Sequence, residues 1–146
     1  MYENGIGVDK SFRTAIEYYR KAIILNNPKA YCNLGYMYQN GIGVEDDVDE
    51  AIKLYEKAAE LGSTTALNNL AFMYQEGHYV RLNTDKAFDY YQKSANLGDL
   101  EALISLGKIY EDHYQYKNKE KAIECYKKAS ECGSEKAKLR LQKLLK

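Results

Sequence analysis

The sequence predicts an all-α fold: a right-handed α/α superhelix (solenoid) of about four helix–loop–helix repeats of about 36 residues. The chain has 146 residues, and tyrosines recur in it at a constant step of 36 positions. They stand at Tyr2, Tyr38, Tyr74 and Tyr110. A fixed period of this length is typical of stacked repeats, in which each unit buries its apolar face against its neighbours.

Two segments of each repeat carry apolar residues at helical spacing. In the second repeat, Ala30, Leu34 and Met37 fall on one face of the first segment. Ala51 and Tyr55 do the same in the second segment. The alanines allow the helices to approach closely, and the larger side chains fill the space between them. These patterns predict helices at 11–25, 28–39, 47–61, 64–75, 83–97, 100–111, 118–132 and 134–145.

Residues that favour helix N-caps stand at every predicted helix start, where their side chains accept from free backbone N–H groups. The expected caps of the first helices are Asn27, Ser63, Asp99 and Ser134, and those of the second helices are Ser11, Asp47, Asn83 and Asn118. Residues that suit the left-handed end of a helix precede the first-helix caps. They are Asn26, Gly62, Gly98 and Gly133. The connections are therefore predicted to be short.

The repeat register describes one repeat domain. It consists of a partial repeat one at 1–26, repeats two to four at 27–62, 63–98 and 99–133, and a C-terminal capping helix at 134–146. Residues 1–8 match residues 37–44 except at one position, so we expect the chain to begin inside a repeat. The helix at 11–25 should then leave an apolar flank bare. Further repeats upstream, or self-association through this end, are expected to cover it.

The pattern Ala-x-x-x-Leu-Gly-x-x-Tyr-x-x-Gly-x-Gly-Val-x-x-Asp-x-x-x-Ala-x-x-x-Tyr-x-x-Ala-Ala-x-x-Gly runs from Ala30 to Gly62. It resembles the Sel-one-like repeat (SLR), a relative of the tetratricopeptide repeat with a longer loop between its helices. The match covers essentially the whole chain. The resemblance implies a superhelical scaffold that binds other proteins, as in adaptors of signalling, ER-associated degradation and bacterial interaction with host cells.

A secreted subset of that family implies an alternative function. Its members carry one disulfide per repeat, and a β-lactamase-like or penicillin-binding hydrolase activity has been attached to them. This chain has three cysteines and lacks the paired pattern, so we expect a reducing compartment and a cytoplasmic location. Cys125 and Cys132 take the places of larger apolar residues of the earlier repeats and are predicted to be small core residues.

The loop between the two helices of a repeat changes toward the C-terminus. Asn40-Gly-Ile-Gly-Val becomes Glu76-Gly-His-Tyr-Val and then Asp112-His-Tyr-Gln-Tyr, with one residue fewer. We expect the turn to persist, because Asp and His tolerate positive φ better than most residues. The glycine pair after Asn40 and its copy after Asn4 follow predicted helices, so they indicate turns and not a dinucleotide fingerprint.

Several function classes are disfavoured by composition and spacing. The 21 basic and 21 acidic residues give zero net charge, which does not suit nucleic acid. No apolar run approaches the ~20 residues that span a bilayer. His78 and His113 lack metal-ligand spacing, so we expect surface loop histidines, no metal and no cofactor. Cys32 has no histidine in its repeat to act as a base. We therefore predict a protein that is not an enzyme.

The candidate binding surface is the concave face of the first helices, assigned by analogy with tetratricopeptide repeats. Tyr36 and Phe72 lie off the packing register at one equivalent position, so they are expected to anchor an extended peptide whose backbone meets the neighbouring amides. The alternative is that both rings pack between repeats. The predicted contact residues are Lys29, Cys32, Tyr36, Gln39, Asn40, Thr65, Asn68, Phe72, Gln75, Glu76, Glu101, Ile104, Lys108, Glu111 and Asp112.

Overall fold

The computed structural model describes the backbone of residues 2–146 and the side chains of residues 11–146. That part of the chain contains eight α-helices and no strand, which confirms the all-α prediction. The helices are α1 (Tyr2–Ile24), α2 (Pro28–Asn40), α3 (Val48–Glu60), α4 (Thr64–Glu76), α5 (Thr84–Asn96), α6 (Leu100–Asp112), α7 (Lys119–Glu131) and α8 (Glu135–Leu144). No helix within the described range is long and apolar enough to cross a membrane.

Side-chain caps begin the helices from α2 onward, as predicted. The Asn27 side chain accepts from the backbone N–H of Lys29 at 2.9 Å, and Asp47 accepts from Glu50 at 3.1 Å. The same bond is made by Ser63, Asn83, Asp99, Asn118 and Ser134. The predicted left-handed residues also hold, with φ of 55° at Asn26, 89° at Gly62 and Gly98, and 98° at Gly133. Local chemistry therefore sets most helix boundaries.

The N-terminal segment differs from the prediction. Helix α1 begins at Tyr2, so residues 4–8 are helical and not a turn, and Ser11 lies inside the helix and not at its cap. The reason is tertiary packing. In the second repeat Gly43 has φ of 72° and lies so close to α1 that a Cβ there would be 2.4 Å from Phe12 Cβ. Met1 is outside the described residues.

The first of two compact units comprises residues 1–70 and 78–80. Within it α1 packs on α2, and α2 packs on α3. The buried side chains of Ile16, Leu34, Met37 and Leu54 form its core cluster. Gly35 allows the close approach of α2 and α3, because a Cβ there would lie 3.0 Å from the ring of Tyr55.

The second unit comprises residues 71–77 and 81–146. Helices α5 to α8 pack in succession, each on the next. Leu106, Tyr110 and Tyr126 lie in its core, with Ala137 of α8 fully buried. The guanidinium of Arg140 also donates to the carboxylate of Glu111 at 3.1 Å, which fixes α8 to α6.

The prediction that the turn with positive φ persists is confirmed in the third repeat and is wrong for the fourth. Tyr79 adopts φ of 69° where the second repeat has Gly43 at 72°. In the fourth repeat His113 has φ of −81°, outside the left-handed region. With one residue fewer, that loop is held instead by Tyr116. Its ring stacks on Phe88 with centroids 4.4 Å apart, and its hydroxyl donates to Asp85, which raises the pKa of Tyr116 to about 12.

The prediction for the two C-terminal cysteines is correct only in part. Cys125 is half-buried and packs against the second core cluster. Cys132 is exposed at the C-cap of α7, so its assignment to the core is wrong. The equivalent leucines, Leu61 and Leu97, are 42% and 58% exposed, so this position lies at the helix end in every repeat. All three cysteines are free thiols.

Deleting residues 134–146 is expected to lower the melting temperature by several degrees or to cause aggregation. The deletion exposes the face of α7 that Ala137 covers and removes the Arg140 partner of Glu111. Circular dichroism melts would measure the change. A control that lacks only residues 145–146 keeps α8 and should melt like the parent, whereas an unchanged melt of the longer deletion would contradict the capping role.

Candidate functional site

The first helix of the second repeat, α2, and the first helix of the third repeat, α4, each expose one aromatic ring. Tyr36 on α2 is 54% exposed and Phe72 on α4 is 57% exposed, although the residues on either side of each are buried. The helices are therefore well packed at these points, and the rings project from them. Exposed aromatic side chains are the residues that most often anchor a protein partner.

The first helix of the fourth repeat, α6, carries a cation at this position instead of an aromatic ring. Lys108 on α6 is half-buried at the position equivalent to Phe72. Burial lowers the pKa of Lys108, and the nearby charges of Lys136 and Arg140 lower it further. The aromatic series thus ends at α4, and the equivalent position of the following repeat has a positive charge.

Two of the predicted contact residues are buried. Cys32 is 7% exposed and Ile104 is 3% exposed, so both side chains pack in the core and offer no surface to a partner. The Cys32 thiol lies 3.5 Å from the Ser63 hydroxyl, at the connection between α3 and α4 that covers the start of α2. Burial raises the pKa of the Cys32 thiol, which disfavours a nucleophilic thiolate at neutral pH.

Three other predicted contact residues hold buried tyrosines. The hydroxyl of Tyr55 donates to Gln39 Oε1 at 2.8 Å, and the equivalent Tyr91 donates to Gln75 Oε1 at 2.8 Å. Tyr126 donates to Glu111 Oε2 at 2.7 Å. All three rings are at most 5% exposed. Gln39, Gln75 and Glu111 therefore contribute first to the structure of the repeat, which sequence reasoning missed.

Each of these buried hydroxyls also meets the first helix of the following repeat. Asn69 hydrogen-bonds to Tyr55, Ser105 to Tyr91, and Arg140 to Tyr126. Burial raises the pKa of each tyrosine, and the Glu111 carboxylate adds to the effect at Tyr126. A recurring signal was present in the sequence: the tyrosine follows its acceptor by 16, 16 and 15 residues.

The predicted contact residues other than the two rings and the two buried side chains reach the surface to different extents. Lys29, Asn40, Thr65, Gln75, Glu76, Glu101 and Asp112 are exposed, and Gln39, Asn68, Lys108 and Glu111 are half-buried. Within residues 11–146 there is no group of three or more His, Cys, Asp or Glu side chains that would hold a metal ion. The surface therefore provides amides, charges and two rings.

The chain belongs to the Sel1 repeat family. The family model matches residues 1–27, 28–63, 64–99 and 100–134. Sel1 repeats are generally non-catalytic helical scaffolds that mediate protein interactions. No curated protein sequence matches the chain significantly.

Solved structures of the same fold agree. A Sel1 repeat protein from Oxalobacter formigenes is 36% identical with a TM-score of 0.78, over 94% of this chain and 56% of that one. The protective antigen c5321 of uropathogenic Escherichia coli, which displays an SLR fold, is 30% identical with a TM-score of 0.75, over 97% and 31%. Helicobacter pylori cysteine rich protein B is 30% identical with a TM-score of 0.63, over 89% and 94%. The chain thus spans about half of the first structure and about a third of the second.

Proposed function

We propose that this chain is a non-enzymatic protein-interaction scaffold whose first helices bind an extended segment of a partner protein. The observation that carries the proposal is the exposure of Tyr36 and Phe72 at equivalent positions of two successive repeats. Neither ring fills the core, so both are available to a partner at the same position of successive repeats. Protein partners meet such rings with apolar side chains.

The residues near each ring support an extended ligand. The amide oxygens of Gln39 and Gln75 each accept a hydrogen bond from a buried tyrosine hydroxyl. This bond fixes the orientation of the amide, and its nitrogen can donate to a ligand. A peptide backbone in extended conformation offers carbonyl oxygens to such donors. Lys29 and Lys108 add positive charges that suit acidic side chains of the partner.

A hydrolase function has no comparable support from the described residues. The Cys32 thiol is buried and its hydrogen-bond partner is the hydroxyl of Ser63, which does not serve as a base. The similarity to Helicobacter pylori cysteine rich protein B supports a common fold. The three cysteines of this chain are free thiols. A nitrocefin hydrolysis assay with the purified chain tests the alternative.

Replacing both Tyr36 and Phe72 by alanine is expected to weaken peptide binding about tenfold or more, because buried aromatic anchors typically contribute over ~1–2 kcal/mol each. Linear peptides selected against the chain from a random library provide the probe, and fluorescence anisotropy provides the affinity, which we expect to be on the order of micromolar. The circular dichroism spectrum should not change, because both rings are more than half exposed.

Tyr114→Ala is the matched control, because Tyr114 is 87% exposed and lies in the loop after α6. It should bind every selected peptide like the parent. A folded double variant that binds as tightly as the parent would show that the surface is elsewhere. An unfolded double variant would show that the two rings stabilise the repeats.

A further inference from the structure

A cavity of about 630 Å³ opens between α5 and α7, within the second unit. We call it the α7 cavity. Leu103, Leu106 and Tyr110 of α6 form its floor together with Cys125 of α7. These side chains belong to the second core cluster or pack against it, so the floor is apolar. A cavity of this volume with an apolar floor is typical of a binding site.

The third repeat shows which side chain occupies this place. There Tyr90 of α5 is stacked on the ring of Tyr74, with the centroids 6.0 Å apart and the planes 15° from parallel. The residues that correspond to this pair in the fourth repeat are Cys125 and Tyr110. The second repeat has Leu54 at the position of Cys125, and that side chain is buried. The smallest of the three side chains thus lines the cavity, which corresponds to the place of the Tyr90 ring.

A lysine contacts the ring of Tyr110 in a similar way as one contacts Tyr74. The ammonium of Lys86 lies 4.8 Å from the centroid of the Tyr74 ring. The equivalent ammonium of Lys121 lies 5.6 Å from the centroid of the Tyr110 ring. Phe88 meets Tyr110 at its edge, with 84° between the planes, so no ring among residues 11–146 is stacked on Tyr110. The lysine does not exclude a stacked ring, because Tyr74 has both contacts.

A second lysine stands beside the cavity. Lys93 lies 5.7 Å from the centroid of Tyr90 in the third repeat, and its equivalent in the fourth is Lys128, which lines the cavity. Lys128 pairs with Glu124 at 3.1 Å, and both side chains are more than half exposed. An exposed pair of this type contributes little to stability, so Lys128 can turn toward a ring at low cost. A cation beside an apolar floor favours the electron-rich face of an aromatic ring.

We propose that the α7 cavity binds an aromatic side chain of a partner protein, whose ring takes the place over Tyr110 that Tyr90 takes over Tyr74. The floor gives the ring apolar contact, and Lys128 meets its face. The inference goes beyond the proposed function, because none of the residues that line the cavity belongs to the predicted contact residues of the first helices.

The rim of the cavity suits a side chain of a polypeptide better than a free aromatic compound. Gln92 and Asn96 of α5 line it, and the Gln92 amide nitrogen donates to the Asn96 oxygen at 3.1 Å. This bond leaves the Gln92 oxygen to accept and the Asn96 nitrogen to donate. A peptide backbone that carries the ring offers a partner to each, an N–H and a carbonyl oxygen.

The test uses N-acetyl-tyrosine-N-methylamide as the probe, titrated into the uniformly ¹⁵N-labelled chain. Saturable shifts are expected for the backbone amides of Asn96, Leu106 and Cys125, with an affinity on the order of millimolar because one side chain buries little surface. The leucine analogue should bind at least about fivefold more weakly, because it cannot stack on a ring. An equal affinity of the leucine analogue, or shifts that do not saturate at these residues, would overturn the proposal.

Cys125→Tyr supplies the ring from the chain itself, as the third repeat does. It should abolish the shifts of the probe at the cavity and keep the circular dichroism spectrum of the parent. Cys125→Leu introduces the smaller side chain of the second repeat and should weaken the probe at least about threefold, so the test does not depend on the folding of one variant. A folded variant of either kind that binds the probe as tightly as the parent would overturn the proposal.

Leu139→Tyr is the matched control, because it adds a tyrosine at an exposed position of α8 outside the cavity. It should bind the probe like the parent. Loss of the probe in this variant as well would show that an added tyrosine acts without filling the cavity, which would contradict the assignment of the site.

The compound p-cresol, which is the tyrosine side chain without a backbone, separates the two sources of a ring. The amide probe should bind more tightly, because its backbone can reach Gln92 and Asn96. Binding of p-cresol as tight as that of the probe would assign the cavity to a free aromatic compound and overturn the partner protein. These outcomes do not depend on Tyr36 and Phe72, so failure of the cavity proposal leaves the proposed peptide surface intact.

Discussion

Replacing Gly107 by alanine is expected to lower the free energy of unfolding by about 1–3 kcal/mol. A Cβ at this position of α6 would lie 2.5 Å from Cε1 and 2.8 Å from Cζ of Tyr126, a ring that is fully buried. At an unhindered helix position the same change stabilises a protein by about 1 kcal/mol, because alanine is the better helix former. The sign of the effect therefore tests the contact.

Gly35→Ala is the matched variant in the first unit. There the Cβ would lie 3.0 Å from Cε1 of Tyr55, so the neighbouring ring must move less and the loss of stability should be smaller. The third repeat already has alanine here, Ala71, which is fully buried. Urea unfolding of the three proteins would give the order. A Gly107→Ala protein that is as stable as the parent would contradict the close packing of α6 on α7.

Stability should fall steeply above about pH 10, the ordinary pKa of tyrosine. Burial raises the pKa of Tyr55, Tyr91 and Tyr126 in the folded chain. Above that pH the unfolded chain loses protons that the folded chain keeps, so the unfolded state is favoured. Below it both states are protonated and the contribution is fully present. In this range each of the three tyrosines lowers the free energy of unfolding by about 1.4 kcal/mol per pH unit. The three together lower it by up to about 4 kcal/mol per pH unit.

Urea unfolding between about pH 8 and pH 12 would measure this loss of stability. This range is chosen because it brackets the ordinary pKa of tyrosine. Ultraviolet absorbance of tyrosinate in the folded chain provides the direct check. The chain has 15 tyrosines, and we expect Tyr55, Tyr91 and Tyr126 to ionise after the tyrosines that are exposed. One uniform titration of all tyrosines in the folded protein would contradict the buried hydrogen bonds of these hydroxyls.

The helix boundaries could be predicted from the sequence because their causes are local. A cap such as Asp47 or Asn83 needs only the backbone N–H three residues later. The structure of residues 4–8 could not be predicted in this way, because a nearly identical sequence forms a turn at Gly43 and a helix near Tyr2. Packing of Phe12 against Gly43 makes the difference, and that contact is not local.

The candidate surface shows a similar limit. Cys32 and Tyr36 are four residues apart, so helical spacing places them on one face of α2. The structure covers Cys32 with the connection at Ser63 and leaves Tyr36 exposed. Likewise Gln39 is half-buried beneath a tyrosine 16 residues later. Spacing gives the face of a helix, but only the neighbouring helices decide which part of that face remains open.

The central claim is that the first helices bind a partner segment through Tyr36 and Phe72. A selected peptide carrying a nitroxide spin label tests it most directly, by paramagnetic broadening in the NMR spectrum of the ¹⁵N-labelled chain. We expect the signals of residues flanking Tyr36 on α2 and Phe72 on α4 to broaden, and those of α7 to remain sharp. Broadening confined to α3, α5 or α7, with both rings unaffected, would contradict the account.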